Sequence, residues 1–206
     1  MYRHSAAYYD LIYRDLKDYA EEAEKIDAIL RRISPLPRSL LDVACGTGEH
    51  ARVLSQTFGY SVHGVDIEPG FVEIARRKLP DARFEEADMR DFELGRTYDC
   101  LLCLFSSIGY VETESGLRAA LRSMARHLAP GGYLVCEPWI QPEEWTAGLV
   151  DTIQVFDPSS GDQITRTRVG ETEGRVSVLR ISYEIVGEGG VRHLNETHRL
   201  GLFSKE

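Results

Sequence analysis

The segment from Leu40 to His50, LLDVACGTGEH, constrains the fold of this 206-residue chain more than any other part. A short apolar run leads directly into small residues at Ala44, Gly46 and Gly48, and a helical pattern follows. Small residues let the backbone approach a ligand without a Cβ in the way. Amides at the start of a helix can then face that ligand. The segment therefore predicts a strand, a ligand-binding loop and a helix.

Strand and helix patterns alternate on both sides of this loop. An amphipathic helix is predicted over 17–33. Strands over 40–44, 60–65, 82–86, 98–105 and 133–136 then alternate with helices over 49–58, 69–79 and 117–128. The strands at 98–105 and 133–136 have the continuous apolar pattern of buried strands. Such alternation predicts a doubly wound α/β fold with a mainly parallel sheet and right-handed crossovers.

The pattern changes after Trp145. Residues 151–203 show no good helix, and β-rich stretches over 152–156, 164–169, 176–186 and 191–203 are separated by turn signals. This predicts an antiparallel β meander appended to the α/β core. We therefore divide the chain into a cofactor-binding core over 1–145 and an appendage over 146–206 that serves substrate binding or dimerisation.

Acidic residues follow the second and third predicted strands. Asp66 stands twenty residues after Gly46, where a carboxylate can accept two hydrogen bonds from ribose hydroxyls. Asp88 and Met89 follow the third strand, where an acid can bond an adenine amine and a thioether can cover the ring. The loop and these acids together predict a cofactor that contains a nucleoside.

Asp42 favours one of two candidate cofactors over the other. The loop also fits Gly-x-Gly-x-x-Ala through Gly46, Gly48 and Ala51, which makes a nicotinamide dinucleotide the competitor. A carboxylate at Asp42 repels a pyrophosphate but suits the ammonium and sulfonium of S-adenosylmethionine. At an effective dielectric near 20 and about 6 Å, one such attractive pair is worth roughly 3 kcal/mol. The sequence therefore predicts S-adenosylmethionine as cofactor, with S-adenosylhomocysteine as product, and disfavours a nicotinamide oxidoreductase.

Charge and cysteine content limit the partners. The net charge of −9 argues against nucleic acid. No signal peptide or membrane-spanning run is visible, so we expect no membrane partner and a cytoplasmic location. Cys100 and Cys103 lie in a strand pattern that points them to opposite faces, which favours a structural role over a redox or metal role. His193 and His198 are too isolated to predict a metal site.

The chain resembles the class I S-adenosylmethionine-dependent methyltransferases through residues 41–48 (LDVACGTG), Asp66 and residues 87–92 (ADMRDF). Within that class it is similar to the N,N-dimethyltransferases that finish nucleotide-linked amino sugars such as desosamine and mycaminose. The finer resemblance rests on the segments 9–13 (YDLIY), 17–19 (KDY), 45–50 (CGTGEH), 105–110 (FSSIGY) and 137–139 (EPW). It extends, with variation, from about Tyr8 to Phe203.

The resemblance implies several cofactor contacts. Tyr13 is expected to approach the methionine end of the cofactor, Ala44 to line its cradle, and Leu104 to meet the methionine carbons. Asp66 is expected to hold the ribose, and its neighbour Ile67 is counted among the cofactor-binding residues. Asp88 and Met89 are expected at the adenine.

The resemblance implies fewer contacts to the methyl acceptor than to the cofactor. Tyr110 falls where the family places an aromatic or imidazole side chain beside the acceptor amine, although core packing would also explain an aromatic residue there. We expect Tyr110 to orient the amine and expect no dedicated base, because a neutral amine is already a good nucleophile. Trp139 and Trp145 could wall a substrate pocket or anchor the meander. Tyr2 is a further candidate for substrate contact.

Family members continue past residues 202–205 into one more helix and two strands, and the resemblance implies that these are missing here. We therefore expect the strand at 133–136 to form an edge. Either the sequence is a truncated piece of a longer chain, or the meander or a second subunit in a homodimer covers that edge. The sequence thus predicts a methyltransferase of a small molecule, with a nucleotide-linked amino sugar as the specific candidate. The alternatives are a catalytically impaired protein that binds the cofactor and a methyltransferase of another small-molecule acceptor.

Overall fold

The computed structural model of the protein describes residues 5–14 and 16–204. Five parallel strands form one sheet in the order β3-β2-β1-β4-β5. The strands are β1 (Ser39–Val43), β2 (Ser61–Asp66), β3 (Arg83–Glu86), β4 (Tyr98–Cys103) and β5 (Leu128–Cys136). The helices are α1 (Tyr9–Tyr13), α2 (Tyr19–Leu30), α3 (Glu49–Phe58), α4 (Pro69–Lys78) and α5 (Glu114–Arg126), with short 3₁₀ segments at Ala6–Tyr8 and Ser107–Val111. The predicted doubly wound α/β core is confirmed.

Each face of this sheet has its own apolar core. One core packs α2, α3 and α4 against the sheet and includes Cys100. The other packs α5 against the opposite face and includes Cys103. The prediction that these two cysteines point to opposite faces is therefore correct. Cys136 differs from them because it is exposed on β5.

Capping explains where two helices begin. The Asp18 carboxylate accepts a hydrogen bond from the amide of Glu21, so α2 begins at Tyr19 and not at residue 17. The Thr113 hydroxyl accepts from the amide of Gly116 and starts α5 three residues before the predicted start at 117. Both differences from the predicted helix starts result from local capping hydrogen bonds, which the spacing of apolar residues does not reveal.

The last strand of the parallel sheet is longer than predicted. It begins at Leu128, which pairs with Tyr98, and an irregularity at this point shifts the register to Cys100 opposite Tyr133. The Pro130-Gly131-Gly132 segment therefore lies inside β5 and not in a loop after α5. Gly131 has a φ of +77°, a backbone conformation that glycine adopts without strain.

The meander forms a second, antiparallel sheet in the order β6-β7-β8-β9. Its strands are β6 (Val150–Phe156), β7 (Gln163–Glu173), β8 (Val176–Gly187) and β9 (Gly190–Gly201). The predicted meander is thus confirmed, with each strand paired to the next one along the chain. Its inward face packs Ile164, Ile181 and Leu200 against Ile12 of α1. The division of the chain at residues 145 and 146 stays a prediction.

Both sheets present open edges. In the described part of the chain, β5 pairs on one side only, and Tyr133 on it is 47% exposed. The prediction that this strand forms an edge is correct, but the meander does not pair with it. No helix among residues 5–14 and 16–204 is long and apolar enough to cross a membrane.

Candidate active site

A cavity of about 410 Å³ lies between the carboxyl ends of the parallel strands, α1 and the inward face of the meander. Open α/β sheets bind ligands at this end, and the volume falls in the usual range for small-molecule sites. The predicted site residues on its wall are Tyr13, Ala44, Gly46, Asp66, Ile67, Asp88, Met89, Tyr110 and Trp139. A small recess beside the cavity shares Ala44 and Gly46 and is also lined by Asp42 and Leu104.

The two glycines of the first loop have different roles. Gly46 has a φ of +56°, and a Cβ built on it would meet no atom within 4 Å, so its backbone borders open space in the cavity. Gly48 has a φ of +79°, but its Cβ would lie 2.9 Å from the Cβ of Ala75 in α4. It lines neither the cavity nor the recess. The structure therefore assigns Gly48 to the packing of α3 on α4 and does not bring it to the cavity as predicted.

Asp66 ties two loops together at the cavity wall. Its carboxylate accepts hydrogen bonds from the amides of Gly46 and Glu68, both at 2.8 Å. Burial raises the pKa of Asp66 to about 6, against the lowering effect of those amides. Glu68 lines the same cavity and was missed by the sequence analysis. A second acid two residues after Asp66 was the available signal.

Asp42 is a buried acid, and one of its carboxylate oxygens lacks a partner among the described residues. It is 2% exposed, and its Oδ2 has no hydrogen-bond partner within the described ranges. Burial raises its pKa to about 7; Asp66 raises it further, while His50 and Lys17 lower it. Because an unpaired buried carboxylate is costly, its position on the recess wall suits a cationic ligand group. The recess therefore fits the ammonium of the predicted cofactor.

Lys17 supplies the opposite charge in the same recess. Its side chain is 7% exposed, and its Nζ lies 2.9 Å from Glu22 Oε2 and 3.5 Å from the centre of the Phe105 ring. A second acid on the recess wall, Glu49, is paired with Lys78 and Arg52. Lys17 and Asp42 therefore remain as the cation and the acid that complement the two charges of an amino-acid group. The sequence contained Lys17 in a motif of the family resemblance but gave no other reason to assign it a role.

A strained loop after β4 presents Tyr110 to the cavity. Phe105, Ser106 and Glu112 have φ values of 51°, 61° and 58°, which are uncommon outside glycine and concentrate at functional sites. The amide of Phe105 donates to Glu137 Oε2 at 2.7 Å and holds the loop against the segment after β5. Tyr110 lies between the strained residues, in the 3₁₀ segment.

Tyr110 begins a chain of polar groups that reaches into the meander. Its hydroxyl lies 2.7 Å from Nδ1 of His198, which is 1% exposed and lines the cavity. Nε2 of His198 lies 3.5 Å from Glu196 Oε2, and Glu196 also accepts hydrogen bonds from the amide and hydroxyl of Ser5. His198 was not predicted as a site residue, because its partner Tyr110 is 88 positions away in the sequence.

Comparison with known proteins identifies the class of this site. Residues 40–132 match the methyltransferase-domain family. The chain is 42% identical over 203 residues to the dTDP-3-amino-3,6-dideoxy-α-D-glucopyranose N,N-dimethyltransferase of Streptomyces fradiae, an alignment that covers 98% of this chain and 78% of that one. The chain belongs to the S-adenosylmethionine-dependent methyltransferases.

Two solved structures share the fold of this methyltransferase. DesVI of Streptomyces venezuelae has a TM-score of 0.89 at 39% identity, with 98% of this chain and 85% of that chain covered. CalS10 of Micromonospora echinaspora, an amino pentose methyltransferase solved with S-adenosylmethionine bound, has a TM-score of 0.83 at 34% identity, with 96% and 83% covered. The prediction of S-adenosylmethionine as cofactor is confirmed.

Asp88 of the methyltransferase is engaged by its own neighbour. The Arg90 guanidinium Nε lies 3.0 Å from both oxygens of the Asp88 carboxylate, and the pair holds the pKa of Asp88 below its usual value. Arg90 lines the cavity beside Met89 and was missed by the sequence analysis. Both carboxylate oxygens of Asp88 are therefore already engaged within the protein.

Trp139 and Trp145 of the methyltransferase have different roles. Trp139 lines the cavity and donates its indole N–H to the Ser177 hydroxyl at 2.9 Å, so it both walls the cavity and fastens β8. Trp145 donates to Thr172 at 2.8 Å and does not line the cavity, so it only anchors the meander. Tyr2 lies outside the described residues. No cluster of potential metal ligands occurs in the described part of the chain.

Proposed function

We propose that this methyltransferase methylates the amino group of a nucleotide-linked amino sugar. The observation that carries the proposal is the Tyr110–His198 pair, which sets a polar group into the cavity beside the cofactor loops. The curated relative that is similar over 98% of the chain is named for methylation of such an amine. The meander, whose inward face walls the cavity, is included in that similarity.

We assign each part of the cofactor to the residues of the recess and the cavity that complement its charge. Asp42 binds the ammonium and Lys17 the carboxylate of the methionine part, while Tyr13 and Leu104 pack on its carbons. When bound, the cofactor supplies the methyl group on a sulfonium. The remaining contacts are the backbone at Ala44 and Gly46, ribose hydroxyls at Asp66 and Glu68, and the adenine at Ile67, Asp88 and Met89.

Tyr110 orients the acceptor amine through the direction of its own hydrogen bond. In the proposed arrangement His198 donates its Nε2–H to Glu196 and accepts the hydroxyl proton of Tyr110 at Nδ1. The Tyr110 oxygen then receives an amine N–H, and the lone pair of the amine stays available for attack. Holding reactants in line supplies roughly 7–11 kcal/mol, whereas deprotonating an amine with a pKa near 8 at pH 7 costs about 1.4 kcal/mol.

The test is turnover with a defined acceptor. The protein is incubated with S-adenosylmethionine and dTDP-3-amino-3,6-dideoxyglucose, and methylated products are counted by mass spectrometry. The matched control is the same sugar nucleotide with a hydroxyl in place of the amine. Products from the amine alone support the proposal. Tight binding of S-adenosylhomocysteine without turnover of any amino sugar would identify a protein that binds the cofactor but is catalytically impaired.

Three further proposals concern the whole molecule. The 146–206 segment acts as a separate unit for substrate binding, which is supported by its own sheet. A homodimer is supported by the exposed residues Val150 and Phe156 on the outer strand β6 and is tested by sedimentation velocity. A cytoplasmic location is supported by four cysteines that are all free and is tested by fractionation of the native host.

A further inference from the structure

Arg166 of β7 is a buried cation with a long ion pair and one unpartnered nitrogen among the described residues. It is 4% exposed and lines the cavity, yet its Nε has no hydrogen-bond partner in the described part of the chain. Its ion pair with Asp151 is long, with 3.8 Å between Nη1 and Oδ2. A guanidinium stays charged, and a buried charge is costly without close partners. The Arg166 Cζ also lies 5.9 Å from the centre of the Tyr13 ring, and the Nε–H stays available for an additional anion.

Arg168 presents a second guanidinium on the same face of β7. It lines the same cavity, and its Nη2 lies 3.5 Å from the same Asp151 oxygen. Asp151 sits directly opposite Arg168 in the register of β6 and β7, and its side chain is 45% exposed. Two guanidinium groups thus share one carboxylate and leave one positive charge. Planar guanidinium groups of this kind suit the oxygens of phosphate groups.

The inward face of the meander carries positive charge at one side and negative charge at the other. Arg168 of β7, Ile181 of β8 and Glu196 of β9 form one row across three strands. Two strand spacings separate the arginine from the acid, a distance of about 10 Å between backbones. The acid side leads to Tyr110 through His198. A ligand with an amine at one end and an anion at the other fits this arrangement.

We propose that Arg166 and Arg168 bind the diphosphate of the acceptor, while its amine lies at Tyr110. This rests on the proposed function, because it assumes that the acceptor is nucleotide-linked. Asp151 limits the affinity of the site by competing for both guanidinium groups. The cofactor carboxylate is another anion for this region, but the proposed cofactor contacts place it at Lys17, which lines the recess.

The experiment that tests this proposal measures the affinity for phosphate-containing ligands and not methyl transfer. Thymidine diphosphate, inorganic pyrophosphate and inorganic phosphate are titrated calorimetrically into the full chain saturated with S-adenosylhomocysteine. Arg168→Gln is expected to weaken thymidine diphosphate about tenfold, the loss of one charged contact. Arg166→Gln is expected to weaken it further. Asp151→Asn is expected to strengthen it about threefold, a gain that a purely structural carboxylate would not give.

Arg180→Gln is the matched control, because Arg180 lies on the outward face of β8 and pairs with Glu171 at 2.8 Å. Its affinity for thymidine diphosphate should equal that of the wild type. The thermal midpoint and the S-adenosylhomocysteine affinity of every variant show whether the fold and the cofactor site remain intact. If Arg166→Gln unfolds, Arg168→Gln and Asp151→Asn still decide the question.

Four results would overturn the proposal. These are absence of thymidine diphosphate binding by the wild type, equal binding by all variants, inorganic phosphate binding as tightly as the diphosphate, and a loss of S-adenosylhomocysteine affinity without a loss for thymidine diphosphate. The last result would assign the arginines to the cofactor. Binding that follows the expected order in a protein that methylates no amino sugar would overturn the proposed function and leave the anion site standing.

Discussion

The hydroxyl of Tyr110 lies 2.7 Å from Nδ1 of His198, so a loop of the α/β core and the last strand of the meander meet at one hydrogen bond. His198 is almost fully buried, and Glu196 lies on its far side at 3.5 Å. We propose that the Tyr110 hydroxyl donates in this bond, so that His198 acts on the acceptor through Tyr110 and not by direct proton transfer.

The first prediction separates positioning from base catalysis. Tyr110→Phe should lower kcat by about tenfold, because it removes one hydrogen bond, and should leave the affinity for S-adenosylhomocysteine unchanged. His198→Leu should have a similar effect, while His198→Asn should retain more activity because its amide oxygen can accept the Tyr110 proton. Steady-state kinetics of the single and double variants measure this.

The double variant Tyr110→Phe/His198→Leu provides the decisive comparison. If His198 works through Tyr110, the double variant should lose no more activity than Tyr110→Phe alone. Additive losses would indicate independent roles. Complete loss of activity in Tyr110→Phe with intact cofactor binding would contradict a positioning role and point to an essential base.

The second prediction concerns the pH dependence of cofactor binding. Asp42 has its pKa raised to about 7 by burial, and the charged groups around it are His50, Asp66 and Lys17. Only the ionised acid attracts an ammonium, so the dissociation constant of S-adenosylmethionine should fall about tenfold as the pH rises from 6 to 8. Equilibrium dialysis across this range measures the change.

Asp42→Asn is the control for that titration. The variant should bind S-adenosylmethionine more weakly at pH 8, and its affinity should change little with pH. A pH dependence that persists unchanged in this variant would assign the titration to another group, such as Asp66 or the amine of the cofactor itself.

The third prediction concerns the stability of the protein without cofactor. The folded-state pKa values of Asp42 and Asp66, about 7 and about 6, lie above the value of 3.8 for an ordinary aspartate. The folded protein therefore holds protons that the unfolded chain releases. The contribution of these two acids to the unfolding free energy should decrease as the pH rises from about 4 to about 7.

Asp42→Asn should remove the contribution of Asp42 to the pH dependence of the unfolding free energy. At pH 8 the variant should be more stable than the wild type by about 2 kcal/mol, the order of an unsatisfied buried polar group, and this advantage should shrink at pH 5. Calorimetry of both proteins at the two pH values tests it. A variant that is equally destabilised at both values would show that Asp42 has a structural partner.

The fourth prediction distinguishes Asp66 from Glu68. Asp66→Ala should destabilise the fold by about 2 kcal/mol, because it leaves the amides of Gly46 and Glu68 without their acceptor. Glu68→Gln should leave the thermal midpoint unchanged and weaken S-adenosylhomocysteine about threefold to tenfold. Chemical unfolding and calorimetric titration of the two variants separate the roles. An unchanged affinity in Glu68→Gln would remove Glu68 from the ribose contacts.

The sequence predicted the part of the site that follows from local chain order. Asp42, Gly46 and Asp66 lie in or directly after strands whose carboxyl ends must meet at one edge of a parallel sheet, so their proximity could be inferred. His198 and Arg166 come from the meander. Their burial depends on how its inward face packs on α1, and apolar periodicity does not contain that information.

The last prediction tests the division of labour between the two loop glycines. Gly48→Ala would place a Cβ 2.9 Å from Ala75 at a φ of +79°, so it should cost about 2 kcal/mol or more of unfolding free energy. Gly46→Ala meets no atom within 4 Å, so it should cost only the strain of its φ of +56°, about 1 kcal/mol. Its Cβ borders the cavity, however, and should weaken S-adenosylhomocysteine more than Gly48→Ala does in the folded fraction. Urea unfolding and calorimetric titration of both variants measure the two effects, and a larger affinity loss in Gly48→Ala would return Gly48 to the cofactor site.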